Sequence, residues 1–226
     1  IVKSIKQYRS FSMTTQMKAA KEGRITEEMR IVAEDEGESP EKIRERVRRG
    51  TVIITCNNRR ENVNPIGIGE GLRTKVNANV GTSIDLCDIN LELEKAKVAV
   101  KYGADTIMDL STAGELDGIR RRILKEVNVP VGTVPIYQAA IEAASKKGSI
   151  VSMTEDDIFN IIEKHAKDGV DFMTVHCGVT RQIVEKISKH PRLMGIVSRG
   201  GTFLAAWILH NNKENPLYSN FDYLLE

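Results

Sequence analysis

The sequence is poor in cysteine, in aromatic residues and in net charge. Only three cysteines occur among 226 residues, Cys56, Cys87 and Cys177, and their spacing fits neither a disulfide framework nor a CxxC metal or redox motif. With 33 basic and 31 acidic residues, the formal charge is +2, too weak for the field expected of a nucleic-acid-binding or anionic-membrane-binding protein. A small neutral or anionic ligand is the better expectation.

Long apolar runs are also missing. No stretch approaches the roughly 20 residues of a membrane span, and no signal-peptide core follows the first residue, so we expect a cytoplasmic protein with no membrane or nucleic-acid partner. The chain opens on Ile1, and Met13 has the setting of a natural start. Asn220 or Asp222 would cap a helix that stops within two turns at Glu226, so we expect the polypeptide to continue.

With 41% hydrophobic residues, the chain suits one globular domain with a small appendage. We predict that residues 1–72 form this appendage, an N-terminal region of helices and one strand. Ser39 and Pro40 mark a helix start, and the β-branched run 51–55 is typical of a strand. A polar loop is predicted over 56–65, and the glycine-dense segment 67–71 is predicted to mark the boundary with the region that follows. It is not a dinucleotide-binding fingerprint, because leucine occupies the third glycine position.

Residues 73–226 alternate β-like runs with amphipathic helical stretches such as 92–102 and 156–167, which is the signature of βαβ units on a parallel sheet. This α/β pattern fits a (β/α)8 TIM-type barrel or a doubly wound open sheet, and periodicity does not separate the two. We predict five strands, at Lys75–Val80, Asp105–Leu110, Val129–Val134, Phe172–His176 and Gly195–Ser198.

Polar or chemically capable residues follow each of these five predicted strands. In a barrel such residues meet at one mouth, which favours a (β/α)8 barrel, present in part, over the open sheet. The candidates, in strand order, are Asn79; Met108 with Asp109 and Ser111; Tyr137; His176; and Ser198, Arg199 and Gly200.

The last of these groups leads directly into an apolar helix over 203–210. The free backbone N–H groups of a helix start, together with Arg199, can hold a phosphate, and the glycines allow close approach. A tight turn without a ligand is the alternative. His176 ends a buried run, where it can donate to a ligand oxygen or move a proton, or can simply be a satisfied core histidine.

Tyr137 can stack on a heterocycle or only close the barrel wall, and Asn79 can read an imidazole or amide edge or belong to an ordinary turn. Met108, judged by itself, is a core residue. The remaining three histidines are predicted to lie at the surface: His165, His190 and His210.

At these residues the chain resembles the phosphomethylpyrimidine synthase (ThiC) family, from Thr15 to the last residue. The resemblance implies a barrel lyase of the radical S-adenosylmethionine type, active in thiamine biosynthesis and homodimeric, which converts 5-aminoimidazole ribotide to 4-amino-5-hydroxymethyl-2-methylpyrimidine phosphate. The segments that carry it are 33–37 (AEDEG), 67–79 (GIGEGLRTKVNAN), 108–112 (MDLST), 134–138 (VPIYQ), 175–178 (VHCG) and 198–201 (SRGG).

The same resemblance implies a set of substrate-binding residues: Asn79, Met108, Tyr137, His176, Ser198, Arg199 and Gly200. It also implies a [4Fe–4S] cluster, S-adenosylmethionine and zinc for the complete enzyme. None of the family's ligands for these cofactors lies in this chain, because two metal-binding histidines and the CxxCx4C motif have no counterpart, and the family's Asp-Gly-Leu-Arg substrate loop is absent as well. Segment 55–60, TCNNRR, also replaces the family's usual Pro-Ala-Asn-x-Asn-His.

Two alternatives stay open beside this function. One is the related synthase that forms 5-hydroxybenzimidazole from the same ribotide, and the other is an inactive ribotide-binding module. Because five strands of eight would leave open sheet edges, we also expect residues 1–226 to be unstable and inactive alone.

Overall fold

The structure is a computed structural model that describes residues 15–226. The predicted start at Met13 lies outside the described residues. The chain divides into two compact units: the first holds the described residues up to Thr55 together with Pro65–Thr74, and the second holds Cys56–Asn64 together with Lys75–Glu226. Within residues 15–226, no helix is both long enough and apolar enough to cross a bilayer.

The first unit contains three short helices, each begun by a hydroxyl side chain. In α3, Ser39 Oγ accepts a hydrogen bond from the N–H of Lys42, and Pro40 occupies the first helical position, so the predicted helix start is confirmed. Gly37 and Gly50 end α2 and α3 in the left-handed conformation that glycine adopts without strain. The helices are α1 (Gln16–Lys21), α2 (Glu27–Glu36) and α3 (Pro40–Arg49).

Two antiparallel strands complete this unit, β1 (Val52–Thr55) and β2 (Ile66–Gly69). The first was predicted, whereas the glycine-dense segment that forms most of the second was predicted only to mark a boundary. Here the glycines permit close approach of the two strands. A Cβ on Gly69, whose φ is +144°, would lie 2.1 Å from the carbonyl oxygen of Thr51.

The second unit alternates strands and helices around four parallel strands in the order β3–β4–β5–β6. The α/β class and the first four predicted strands are confirmed, whereas closure into a barrel remains a prediction. The strands are β3 (Asn77–Val80), β4 (Thr106–Asp109), β5 (Val131–Thr133) and β6 (Phe172–Met173). The helices are α4 (Ile89–Lys101), α5 (Leu116–Glu126), α6 (Pro135–Lys147), α7 (Glu155–Asp168), α8 (Arg181–Lys189), α9 (Arg199–Asn211), α10 (Pro216–Ser219) and α11 (Phe221–Leu225), with a 3-10 turn at Ile150–Ser152.

The fifth predicted strand, Gly195–Ser198, is wrong. These residues form no strand in the described part of the chain, and Val197 is 71% exposed. Their local hydrogen bonds run forward into α9: the hydroxyl of Thr202 donates to the carbonyl of Ile196, at 3.2 Å. A run of β-branched residues is therefore an extended lead into a helix here, because no strand edge supplies its backbone with partners.

Two apolar clusters hold the second unit together. One packs α4 and α5 on the sheet through Ile107, Ile123 and Val131, all fully buried. The other packs α6, α7 and α9 on one another, and in it Trp207 donates from its indole N–H to the carbonyl of Met153 at 2.8 Å. This second cluster fixes α9, whose first residues belong to the candidate site.

The loop 56–64 closes the amino-terminal ends of β5 and β6. Arg60 forms a buried ion pair with Asp171 and donates to the carbonyls of Leu124 and Val127 at 2.9 and 2.6 Å. The Asp171 carboxylate also accepts from the backbone N–H of Val131 at 2.8 Å. The replaced family segment thus forms a charge-assisted clamp on these strand ends.

Candidate functional site

The parallel strands present their carboxyl ends along one edge, and their register places the candidate residues side by side. Asn79 in β3 pairs with Met108 in β4, Met108 pairs with Gly132 in β5, and Gly132 pairs with Phe172 in β6. Asn79 is exposed and Met108 is 8% exposed. A Cβ on Gly132 would lie 2.3 Å from the ring of Phe172, so the absence of a side chain there makes room for the ring.

The start of α9 lies against the ring of His176. Ser198 caps the helix by accepting from the N–H of Gly201 at 3.1 Å. A Cβ on Gly200 would lie 2.4 Å from His176 Cε1 and 2.9 Å from Ile136 Cγ2, closer than real contacts allow. Only glycine therefore lets the helix start approach the imidazole this closely.

His176 is oriented from two sides. Its Nε2 lies 3.3 Å from Ser198 Oγ, and its carbonyl accepts from Asn215 Nδ2 at 2.9 Å. Its Nδ1 is buried and has no hydrogen-bond partner within residues 15–226. Burial lowers the pKa of His176 below its ordinary value, so the imidazole is neutral at physiological pH and offers one ring nitrogen as donor and the other as acceptor.

Tyr137, on the first turn of α6, joins this group through Arg199. The guanidinium carbon of Arg199 lies 5.2 Å from the centre of the Tyr137 ring, within cation–π range, and Phe203 packs edge-on against the same ring at 6.2 Å. The structure thus brings together Tyr137, His176, Ser198, Arg199 and Gly200. Met108 and Tyr137 belong to the same apolar cluster.

A polar network behind Tyr137 was missed by the sequence analysis. The prediction that His165 lies at the surface is wrong, since it is 3% exposed and contacts Arg120 and Thr133. The signal was available, because His165 follows Ile158 and Ile161 on the inner face of α7 at positions i, i+3 and i+7. His190 and His210 are exposed, as predicted.

A cavity of about 20 Å³ lies between this network and Tyr137, enough for about one water molecule. Asp109 lines it and is 7% exposed, with Oδ1 accepting from the N–H and the hydroxyl of Ser111 at 2.9 and 2.6 Å. Burial raises the pKa of Asp109 above its ordinary value despite these hydrogen bonds and the nearby charge of Arg120.

Comparison with known proteins decides the family. The profile of the Radical SAM ThiC family matches residues 15–226. The chain belongs to this family. Curated phosphomethylpyrimidine synthases from Pyrococcus abyssi, Thermodesulfovibrio yellowstonii and Methanocaldococcus jannaschii are similar to it, with 61%, 59% and 58% identity over 212 residues. Each match covers 94% of this chain, and the chain spans about half the length of these relatives, at 49%, 50% and 50%.

Membership of the radical SAM ThiC family implies an iron–sulfur cluster and S-adenosylmethionine for the full-length enzyme. The described residues do not fit such a cluster or a zinc ion. Nowhere in residues 15–226 do three or more His, Cys, Asp or Glu side chains converge in a way that could hold a metal. Burial raises the pKa of Cys177, which disfavours the thiolate that a metal needs. The groups that converge at the start of α9 in this ThiC chain are a cation, an aromatic ring, a hydroxyl and an imidazole.

Proposed function

We propose that the protein carrying this chain is a phosphomethylpyrimidine synthase of thiamine biosynthesis. It acts as a lyase on 5-aminoimidazole ribotide and forms 4-amino-5-hydroxymethyl-2-methylpyrimidine phosphate, and the second unit of this chain binds the ribotide. The observation that carries the proposal is the convergence of Tyr137, His176, Ser198, Arg199 and Gly200 at the start of α9. The family and its similar relatives support the same reaction.

The phosphate of the ribotide is assigned to the start of α9. In that turn the N–H groups of Gly201 and Thr202 already donate to Ser198, whereas the N–H groups of Arg199 and Gly200, at the first two helical positions, need a partner from outside the helix. The exposed Arg199 side chain adds a cation whose hydrogen bonds to phosphate are charge-assisted. Gly200 and Gly201 are buried, and the absence of a side chain at 200 lets the His176 ring lie against this turn.

The aminoimidazole ring is assigned to the sheet edge between Tyr137, His176 and the row that contains Asn79 and Met108. The Tyr137 ring offers an aromatic face, and the neutral His176 has an unsatisfied Nδ1 that can pair with one polar group of the ligand. Asn79 is exposed on the edge strand β3, where its amide can both donate and accept. Met108 contributes an adaptable apolar contact.

Bound S-adenosylmethionine and the [4Fe–4S] cluster would supply the radical that starts the rearrangement in the full-length enzyme, and zinc is proposed as a further metal there. Residues 15–226 do not fit those groups, so no chemical step is assigned to them. Their part is to hold the ribotide in one orientation. This lowers the activation barrier of the reaction, because the entropy cost of orienting the reacting atoms is met when the ribotide binds.

Calorimetric titration of the full-length protein with 5-aminoimidazole ribotide tests the proposal. Arg199→Ala should weaken binding roughly 10- to 100-fold, the equivalent of a lost charge-assisted contact of about 1.5–3 kcal/mol. Arg192→Ala, which removes an exposed arginine seven residues earlier, should leave binding unchanged. Wild-type protein that does not bind the ribotide, or equal loss in both variants, would reject the assignment. Product analysis separates the pyrimidine from a benzimidazole.

A further inference from the structure

Gln138 directly follows Tyr137 and is the most heavily bonded uncharged side chain of α6. It is 5% exposed, and its Oε1 accepts from Arg120 Nη1 at 2.8 Å. Its amide nitrogen donates to Asp117 at 2.7 Å and to Glu142 at 2.9 Å. Both ends of the amide are therefore engaged by charged groups, which fixes its orientation.

Arg120 links this amide to two further helices. It is 2% exposed, and it donates to Asp117 at 2.7 Å and to Asp168 at 2.5 and 3.0 Å. Its Nη1 also lies 2.9 Å from His165 Nε2. One guanidinium thus connects α5, which carries Arg120, to α6 through Gln138 and to α7 through His165 and Asp168.

His165 carries the connection on to the sheet. Its Nε2 lies 2.9 Å from both Arg120 Nη1 and Gln138 Oε1, and its Nδ1 lies 2.9 Å from Thr133 Oγ1. Burial, with the charge of Arg120, lowers the pKa of His165 to about 3, so the ring is neutral at physiological pH. Thr133 ends β5, two residues before α6 begins at Pro135.

The start of α6 has no other polar anchor of this kind. Val134 is the residue before the helix, and no side chain in the described part of the chain caps the first turn. Gln138, the residue next to Tyr137, therefore ties this turn to the polar network, while Arg199 and Phe203 contact the Tyr137 ring from α9.

We propose that Gln138 is a positioning residue for the ribotide site, held by Arg120 and His165 so that the first turn of α6 keeps Tyr137 against Arg199 and the ligand. The inference rests on the proposed function. Stability alone does not account for the network, because replacing buried ionic groups by apolar residues of similar volume is often neutral or stabilising. What such a network supplies is one defined arrangement of the elements that it joins.

A double-mutant cycle on the full-length protein separates positioning from mere packing. Gln138→Met keeps the length and volume of the side chain and removes its hydrogen bonds. We expect it to weaken binding of 5-aminoimidazole ribotide about 5- to 20-fold when Tyr137 is present, and to cause no further loss in the Tyr137→Ala background. Gln182→Met, on the exposed face of α8, is the matched control and should have no effect.

Equal losses of ribotide affinity in both backgrounds would overturn the inference, because Gln138 would then act without Tyr137. An unchanged ribotide affinity of Gln138→Met would overturn it as well. If Gln138→Met does not fold, Thr133→Val provides the second variant. It cuts only the His165 link, and its smaller loss of affinity should also vanish in the Tyr137→Ala background.

A ligand-free readout keeps the two proposals distinguishable. In NMR spectra of the protein isotopically labelled at tyrosine, the chemical shifts of the Tyr137 ring should change in Gln138→Met and stay unchanged in Gln182→Met. If the wild-type protein does not bind the ribotide but the ring signals shift, the proposed function fails and the positioning role stands. If the ribotide binds and the ring signals do not shift, the positioning role fails and the proposed function stands.

Discussion

Adding one methyl group at Gly200 is the sharpest single perturbation of the site. The new Cβ would lie 2.4 Å from His176 Cε1 and 2.6 Å from Nε2, against at least 3.4 Å for an ordinary contact. Either the ring or the helix start must therefore shift by about 1 Å. The added Cβ would also lie 2.9 Å from Ile136 Cγ2, and Asn215 holds the His176 backbone by donating to its carbonyl, so the ring can yield only by rotating about its own side-chain bonds.

The expected magnitude combines two opposing effects. Overpacking costs about 1–3 kcal/mol, and the better helix propensity of alanine recovers up to about 1 kcal/mol. We expect Gly200→Ala to lower the free energy of unfolding by about 1–2 kcal/mol, a fall in Tm of about 1–2 °C in a protein about twice as long as this chain, as the relatives are. Because the shift displaces both His176 and the N–H groups of the helix start, ribotide affinity should fall about 10- to 100-fold.

Thermal denaturation and calorimetric titration of the full-length variant measure both quantities. Gly178→Ala is the matched control, since a Cβ there would meet nothing within 4 Å, and both quantities should stay at their wild-type values. Wild-type affinity and wild-type Tm in Gly200→Ala would refute the close contact itself. A lowered Tm with wild-type affinity would keep the contact but remove His176 and the helix start from the ligand site.

Three further outcomes concern buried charges. Arg60→Ala leaves the buried carboxylate of Asp171 without its ion-pair partner and should lower the free energy of unfolding, measured in urea, by about 3–5 kcal/mol. Arg59 is exposed, and Arg59→Ala should leave that free energy unchanged. The pKa of Asp109 is raised in the folded state. The free energy of unfolding therefore falls as pH rises from 3.8, the ordinary pKa of the carboxyl, through its folded value. Asp109→Asn should be more stable than wild type at pH 7 and should lose that advantage at pH 3. The pKa of His165 is lowered to about 3 in the folded state, so as pH falls the unfolded state is protonated before the folded state. Between pH 6.5 and 3 the free energy of unfolding of the wild type should therefore fall more steeply than that of His165→Gln, as measured by unfolding at a series of pH values.

Local signals predicted the parts of the fold that depend on local physics. Helix caps such as Ser39, the β-branched run of β1 and the amphipathic stretches of α4 and α7 each have a cause within a few residues of chain. β2 and the segment 195–198 depend instead on whether a partner strand is present. Glycine spacing and β-branching do not carry that information, so β2 was not predicted and the strand at 195–198 was predicted where there is none.

In the candidate site, too, some residues could be predicted from local sequence and others depend on tertiary packing. The sequence predicts a helix start at Ser198, Arg199 and Gly200, and the structure has these residues at the start of α9, beside His176. The burial of Arg120 could not be predicted from the sequence, because charged residues on α5 are typical of a solvent-facing helix. Only the packing of three helices shows that this arginine is buried and fully bonded.

Strand alternation explains how these two sets of residues can serve one site without competing for space. Neighbouring residues on a strand point to opposite faces, so the row with Met108 and the row with Asp109 and Thr133 lie on different sides of the sheet. Thr133 contacts His165 of α7, which assigns its face to the helices, and the Met108 face is the one on which we propose that the ligand binds. On this proposal a change in the network reaches the ligand through the strand ends and through Tyr137, and the double-mutant cycle at Tyr137 measures that route.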